Sequence, residues 1–476
     1  MQRKLIVMFR VIAVMIAVMV MGVGSGYAVT ITWDGSVDGT WETGGNWDLN
    51  RIPNSTDNVI INNVGTAPII IVAGALCGNL TFTTGANIAL TITAPGTLLP
   101  SAGAIISASA ANAAFTSTIS GNGAIIAQGA LTITNNANGG ALLLISVSGA
   151  AGITGSGITL ITFSGVENIT VSSKIIDGAT TPVTIDMTEL ADVVTFSGTN
   201  TYAGTTTING GNLTVSGGDA IATASSVVLA DDATAKLTIS AAETIGPLSG
   251  GGSNGGNVAL GATLTINQSS DGTYAGVISG GANAVTKTGA GALTLNGTNS
   301  YTGLTTLSNG TLAGTGTIGG ALTTAAATIL APGATNGTLV GDLTVTGVIT
   351  LNAASEYRLT VTPAGVDKIV AGNNIVTNGA KVTVQSGYNS VGLTLPASII
   401  DLTGTFSAAF DETDLPIGWN VDNTKGATIA GKIMLTAAPM PTIPTLSEWG
   451  IILAFLLLAG AGVILIRRRQ RAGSFA

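Results

Sequence analysis

The chain repeats a three-residue pattern in which two apolar side chains flank a threonine. The clear copies are Leu80-Thr81-Phe82, Leu90-Thr91-Ile92, Leu131-Thr132-Ile133, Leu213-Thr214-Val215, Leu237-Thr238-Ile239, Leu264-Thr265-Ile266, Leu293-Thr294-Leu295, Leu343-Thr344-Val345 and Val382-Thr383-Val384. Successive side chains of a β-strand point to opposite faces. Each copy therefore predicts a short strand that buries its two apolar residues and turns its threonine outward.

The copies are separated by Gly and Asn turns, and from Leu213 they follow at steps of 24, 27 and 29 residues. Strands at such a repeat predict the coils of a solenoid, because one coil alone buries too little apolar surface to offset its ordering entropy. With stacked strands about 4.8 Å apart, residues 66–404 predict a rod on the order of 70 to 100 Å long. The spacing before residue 200 is irregular, so an array of antiparallel β-sandwich domains is the alternative.

Composition removes most familiar active sites. The 476 residues contain 67 glycines, no histidine and a single cysteine, Cys77. This excludes the Ser-His-Asp triad, the HExxH zinc site, an intrachain disulfide and a cysteine zinc cluster. We therefore expect no metal and no cofactor.

Both termini have the pattern of targeting segments. Residues 1–28 combine Arg3, Lys4 and Arg10 with an apolar run and a small-residue ending, which predicts a secretory signal peptide cleaved after Ala28. The secretion translocon and signal peptidase are then partners. Residues 451–466 are apolar and predict one transmembrane helix, and the arginine-rich tail 467–476 is expected to stay in the cytoplasm.

The charge of the central segment follows once these ends are set aside. Seven of the 16 basic residues and one of the 24 acidic residues lie in or beside them, which leaves a net charge of −14 for residues 29–442. Such a surface has no basic patch for phosphates, so nucleic acid is not an expected partner.

A short string precedes the C-terminal apolar run: Ile443-Pro444-Thr445-Leu446-Ser447-Glu448-Trp449-Gly450. Thr445 and Glu448 fit a capping box that opens a helix, and Trp449 suits the membrane interface. The string, the short span and the arginine cluster together resemble the IPTL-type C-terminal sorting signals of bacterial envelope proteins. The resemblance implies recognition by an exosortase-like protease, transient anchoring in the inner membrane, removal of the tail, and transfer to the cell surface.

A longer repeat lies within the predicted solenoid. Gly198-Thr199-Asn200-Thr201-Tyr202-Ala203-Gly204 returns 99 residues later as Gly297-Thr298-Asn299-Ser300-Tyr301-Thr302-Gly303, with a shorter relative at residues 271–276. Residues 196–217 and 274–333 closely resemble the passenger-associated repeat of bacterial autotransporters. The resemblance implies a right-handed parallel β-helix, in which the Tyr and Gly positions fix turns and coil packing.

Three of the five tryptophans, Trp33, Trp41 and Trp47, lie in the N-terminal segment 29–65. Bulky aromatics there predict a cap on the exposed end of the solenoid, and stacking on carbohydrate is the functional alternative. Residues 405–435 predict the second cap, and 436–442, with two prolines, a stiff linker to the membrane.

Catalysis has few candidate residues. Asp231-Asp232 is one adjacent acidic pair, and Asp186, Glu189 and Asp192 form a sparse cluster. We expect no enzymatic activity and rank a structural or adhesive surface protein of the cell envelope or biofilm matrix first. Extracellular polysaccharide or neighbouring surface proteins are then the expected partners. A carbohydrate-binding protein is the second hypothesis and a polysaccharide-cleaving enzyme the third.

Overall fold

The computed structural model is built of short β-strands. It describes residues 28–62, 68–83, 87–109, 115–137, 139–149, 152–155, 158–176, 181–333, 340–384, 397–403, 405–407, 410–411, 415, 419–422 and 432–437. The regular elements within these ranges are 46 strands and one 3-10 helix, Gly44–Asn46. The prediction of an all-β ectodomain is confirmed for these described residues.

The chain winds around an axis and places strands on three faces. Face 1 is a single 16-stranded parallel sheet, which extends for roughly 70 Å at about 4.8 Å per strand. Its strands, in order along the axis, are Thr30–Trp33, Asn58–Ile61, Leu80–Phe82, Ala104–Ala108, Leu131–Asn135, Ile161–Gly165, Val183–Met187, Thr206–Gly210, Val227–Leu229, Leu248–Gly250, Gly272–Tyr274, Ala292–Leu295, Thr311–Gly314, Ile329–Pro332, Glu356–Leu359 and Lys381–Val384.

Face 2 consists of a ten-stranded and a six-stranded sheet. The first contains Ile69–Ile71, Ile88–Ile92, Thr116–Gly121, Leu142–Val147, Ile169–Val171, Val193–Phe196, Asn212–Val215, Lys236–Ile239, Asn257–Leu260 and Ile278–Ser279. The second contains Thr317–Ile318, Asp342–Val345, Lys368–Ala371, Ala397–Leu402, Lys432–Ala437 and Trp419–Val421. Residues 298–300 join them, because the Ser300 N–H donates to the Ile278 carbonyl and Thr298 forms a bridge with Thr317.

Face 3 consists of a four-stranded and an eight-stranded parallel sheet. The first contains Gly74–Cys77, Thr97–Pro100, Ala124–Ile126 and Ile153–Thr154. The second contains Glu243–Ile245, Leu264–Asn267, Val285–Thr288, Thr305–Leu307, Leu322–Thr324, Ile349–Thr350, Ile375–Val376 and Phe406–Ser407. The two remaining strands, Val361–Thr362 and Gly365–Val366, pair as an antiparallel hairpin.

The parallel pairing of aligned strands confirms the solenoid and shows that the antiparallel-sandwich alternative is wrong. Inward side chains of successive coils stack in line, as Leu213, Leu237 and Val258 do on face 2, where all three are fully buried. Burial of each such side chain contributes about 1.5–3 kcal/mol. Because coils share one narrow core, small and medium apolar residues suffice.

Antiparallel contacts close the two ends. At the start, Trp33 forms an antiparallel bridge with Trp47, and the Asp48 N–H donates to the Thr32 carbonyl. At the far end, Lys432–Ala437 pairs antiparallel with Ala397–Leu402 and with Trp419–Val421. Such pairing uses hydrogen-bonding groups that an open sheet edge would offer to another chain.

Candidate functional site

The three N-terminal tryptophans form one buried cluster. The Trp47 ring makes edge contacts with Trp33 (centroids 5.0 Å apart) and Trp41 (4.7 Å), and its Nε1 donates to the Trp41 carbonyl at 2.9 Å. Their side chains are 1%, 0% and 0% exposed for Trp33, Trp41 and Trp47. No ring face is open to a sugar in this structure. The geometry supports the capping interpretation and does not support stacking of these rings on carbohydrate.

A buried asparagine organises this cap, and the sequence analysis did not single it out. Asn46 is fully buried, its Oδ1 accepts the Val37 and Asp38 N–H groups, and its Nδ2 donates to the Asp38 carboxylate and the Thr40 carbonyl. The Asp38 carboxylate also accepts the Thr40 N–H, and this bond, followed by the bond from Asn46 Nδ2, holds the pKa of Asp38 below its ordinary value. The signal available in the sequence was an Asn between Gly45 and Trp47.

In the long repeat, the side-chain amide of an asparagine makes the hydrogen bonds to adjacent coils that a main-chain peptide makes elsewhere in the sheet. Asn200 Oδ1 accepts the Ile175 N–H of the preceding coil at 2.7 Å, and its Nδ2 donates to the Ala220 carbonyl of the following coil. Asn299 does the same with the Ile278 N–H (2.8 Å) and the Thr317 carbonyl (2.9 Å). Each asparagine therefore ties three coils together.

The tyrosine and second glycine of the repeat fill the corner beside this asparagine. Tyr202 and Tyr301 are fully buried, and their Oη atoms hydrogen-bond to Thr206 and Thr305 at 2.9 and 2.7 Å. Burial raises the pKa of both phenols. A Cβ on Gly303 would lie 2.0 Å from a main-chain oxygen of the preceding coil. The structure thus supports turn fixing and coil packing for these positions.

Copies of the repeat lie on different faces. Tyr202 belongs to a segment that continues face 3 between Ile175 and Ile221, whereas Tyr301 belongs to the segment of face 2 that follows Ile278. At both places the regular sheet is interrupted. The shorter relative places Tyr274 in an unbroken face 1 strand, where its Oη donates to the Gly256 carbonyl at 2.8 Å. The two long copies are corner units on faces 3 and 2, and the shorter relative forms part of a face 1 strand.

The candidate catalytic carboxylates accept hydrogen bonds from their own turns or from the next coil. Asp231 accepts the N–H groups of Asn254 and Gly255, and Asp232 accepts both Thr234 donors, which lower its pKa. Asp192 accepts the Glu189 N–H, and burial raises its pKa. Asp231 therefore links two adjacent coils, whereas Asp232 and Asp192 stabilise their own turns.

Two buried groups stand out among the remaining side chains. Lys287 is fully buried, and its Nζ donates to the carbonyls of Gly289, Gly291 and Asn309 at 2.5–2.8 Å, while burial lowers its pKa to about 8. Cys77 is fully buried, which raises its pKa to about 12. A thiol held protonated in this way is not a reactive nucleophile.

Metal-binding and membrane-spanning features are missing from the part of the chain that the structure describes. Those residues contain no group of three or more His, Cys, Asp or Glu side chains arranged to hold a metal ion. Nor do they include a helix with the length and apolar character needed to cross a bilayer.

Comparison with family models identifies both repeated and terminal motifs. Residues 191–215 and 285–313 match the model of the passenger-associated-transport-repeat. The chain carries passenger-associated repeats. Residues 442–471 match the IPTL-CTERM motif, so the suspected sorting signal is confirmed as a motif. No curated protein matches the chain, and no solved structure does.

The sorting motif itself lies outside the described residues. This applies to Ile443, Pro444, Thr445, Leu446, Glu448, Trp449 and Gly450. It applies also to residues 1–27 of the predicted signal peptide, to the predicted membrane helix 451–466, to the predicted tail 467–476 and to most of the predicted linker 436–442. Of the predicted cap 405–435, the structure describes 405–407, 410–411, 415, 419–422 and 432–435. Ala28, the expected cleavage residue, is the first described residue and is exposed.

Proposed function

We propose that this protein is an exported structural or adhesive rod of the cell surface or biofilm matrix. The observation that carries the proposal is the presence, on one chain, of a parallel β-solenoid with passenger-associated repeats and an IPTL-CTERM motif. A solenoid exposes a long, regular lateral surface for its mass. We take its winding to be right-handed, the sense of nearly all crossovers between parallel strands.

Processing at the C-terminus is the second part of the proposal. The 451–466 helix holds the chain in the inner membrane until an exosortase-like protease recognises residues 443–450 and removes the tail. The match to the IPTL-CTERM motif at 442–471 supports this step. The rod itself has a mechanical and adhesive role and catalyses no reaction.

Envelope fractionation combined with intact-mass analysis tests the proposal. The mature protein is expected at the cell surface or in the medium, beginning after Ala28 and lacking the 467–476 arginines. Replacing Pro444 and Trp449 together with alanine should retain a full-length C-terminus in the inner membrane, whereas the control Ser447→Ala should mature normally. A wild-type chain that keeps its complete tail in the inner membrane contradicts the proposal.

A further inference from the structure

Face 3 carries an unbroken ladder of outward threonines. The register aligns one threonine from each of six consecutive strands, and the ladder consists of Thr244, Thr265, Thr286, Thr306, Thr323 and Thr350. All six are partly exposed, and none of their hydroxyls hydrogen-bonds to the described part of the chain. The next strand continues the column with Val376. The hydroxyls repeat at about 4.8 Å, the spacing of stacked strands.

The surface around this ladder bears no charge across its described strands. The residues just before the strands are Ala242, Thr263, Ala284, Leu304, Ala321, Val348 and Asn374. The two charged residues inside the strands, Glu243 and Lys287, are buried at 2% and 0% exposure. Charged pairs occur instead on other faces, such as Lys368 with Asp342 and Asp401 on face 2.

An exposed leucine stands at the middle of the same surface. Leu304 precedes the fourth of the seven strands that run from residue 243 to residue 376, and its side chain is 44% exposed. Among the residues that the structure describes after Leu190, it is the one large apolar side chain exposed to this degree. An apolar anchor at the centre of a patch with a polar surround is the arrangement of a binding hot spot.

From these observations we infer that face 3, from Thr244 to Val376, is a self-association surface that packs against the same face of a second copy. A second copy has the same axial spacing by construction, so in an antiparallel arrangement centred on Leu304 five of the six threonines face a threonine of the partner, and Thr244 faces Val376. In a two-fold arrangement the Leu304 side chains of the two copies meet near the axis. Because the rod is acidic, like-charged copies approach most easily through an uncharged face.

The size of the patch sets the strength of the contact. Seven strands and three outward positions per strand give roughly 450 Å² per copy, about half of a standard interface. A single pair is therefore weak and reversible. Many copies fixed on neighbouring surfaces would be held by the sum of such contacts. This inference deepens the proposed adhesive function and rests on it for its biological meaning, although the contact itself is a property of the folded rod.

Disulfide trapping tests the inference directly. The full-length chain, isolated from whichever cell fraction holds it, is prepared with Leu304→Cys and oxidised mildly. A symmetric disulfide forms only where the two Cβ atoms approach to about 4 Å. We expect a covalent dimer for Leu304→Cys and none for Leu190→Cys, a matched control that is 45% exposed on another part of the rod. Cys77 is buried and contributes no background.

Sedimentation of the unmodified protein provides the second measurement. Wild type is expected to dimerise reversibly with concentration, and Leu304→Asp to raise the dissociation constant at least tenfold, while Leu190→Asp leaves it unchanged. Circular dichroism controls for folding. The inference is overturned if the wild type stays monomeric or if the Leu304→Asp variant dimerises normally. It is also overturned if the protein is monomeric and binds insoluble neutral polysaccharide through Leu304. Failure here with normal surface localisation leaves the proposed export intact, whereas a dimer retained in the cytoplasm overturns the export.

Discussion

Gly303 is a closely packed position of the corner unit, and replacing it with alanine should destabilise the rod. The added Cβ would lie 2.0 Å from the Asn283 carbonyl oxygen and 2.3 Å from its carbon. Both atoms belong to the main chain of the preceding coil, so no flexible side chain can move aside. Separating the coils weakens the hydrogen bonds on either side of the corner. Overpacking of this kind lowers the free energy of unfolding by about 1–3 kcal/mol, and we expect a value near the upper end of that range for Gly303→Ala.

Urea unfolding of wild type and Gly303→Ala measures this loss, with amide hydrogen exchange of residues 299–305 as the local readout. Gly281→Ala is the matched control, because its Cβ meets nothing within 4 Å and its backbone is outside the left-handed region. Gly281 also accepts the Thr302 N–H, so it lies at the same coil contact. We expect a change within about 0.5 kcal/mol for Gly281→Ala. Equal unfolding of Gly303→Ala and wild type would refute the close-packing argument.

Three further changes test the other structural claims. Asn200→Ala should lower the free energy of unfolding in urea by about 2–4 kcal/mol, because it leaves the Ile175 N–H and the Ala220 carbonyl without the side chain that pairs them. Asn299→Ala should lower it by less, about 1–3 kcal/mol, because the Ile278 N–H loses its partner while the Thr317 carbonyl still accepts the Asn299 main-chain N–H. Burial raises the pKa of Glu243 from 4.5 to about 7, so between these pH values the folded state binds a proton that the unfolded state has released. The free energy of unfolding should therefore fall by at most about 3 kcal/mol as the pH rises from 4.5 to 7. Glu243→Gln should remove this pH dependence. Trp47→Ala should lower the free energy of unfolding by about 3–5 kcal/mol and speed amide hydrogen exchange at Ile31. Unchanged exchange at Ile31 would contradict the capping role.

The strands were predictable because their period is local. The burial pattern of an apolar–Thr–apolar triplet is set by three neighbouring residues, and every clear copy lies in a strand. The middle threonine is partly exposed in each copy except Leu293-Thr294-Leu295, where Thr294 is buried. The spacing of the triplets was less informative. Leu237 pairs with Val258, 21 positions later, whereas Leu264 lies on face 3 and Leu293 on face 1. The steps of 27 and 29 residues each combine one coil with an advance to the next face.

The role of individual side chains depended on tertiary contacts that the sequence does not contain. Aromatic residues near a solenoid end are compatible with capping and with sugar stacking, and only the mutual packing of Trp33, Trp41 and Trp47 favours the first. The bridging role of Asn200 and Asn299 was hidden for a similar reason. Their hydrogen-bond partners lie about one coil away on either side. The sequence therefore showed that the Asn is repeated but not which main-chain groups it pairs with.

Distances along the threonine ladder test the central claim most directly. Spin labels on cysteines at Thr244 and Thr323 span four coil steps, and labels at Thr244 and Thr350 span five. At about 4.8 Å per step, the predicted separations are roughly 19 and 24 Å in magnetically dilute samples. The account predicts that the 27 residues between Thr323 and Thr350 add one strand spacing, about 5 Å. An increase unrelated to that spacing, or two distances far outside this range, would contradict a parallel stacked solenoid.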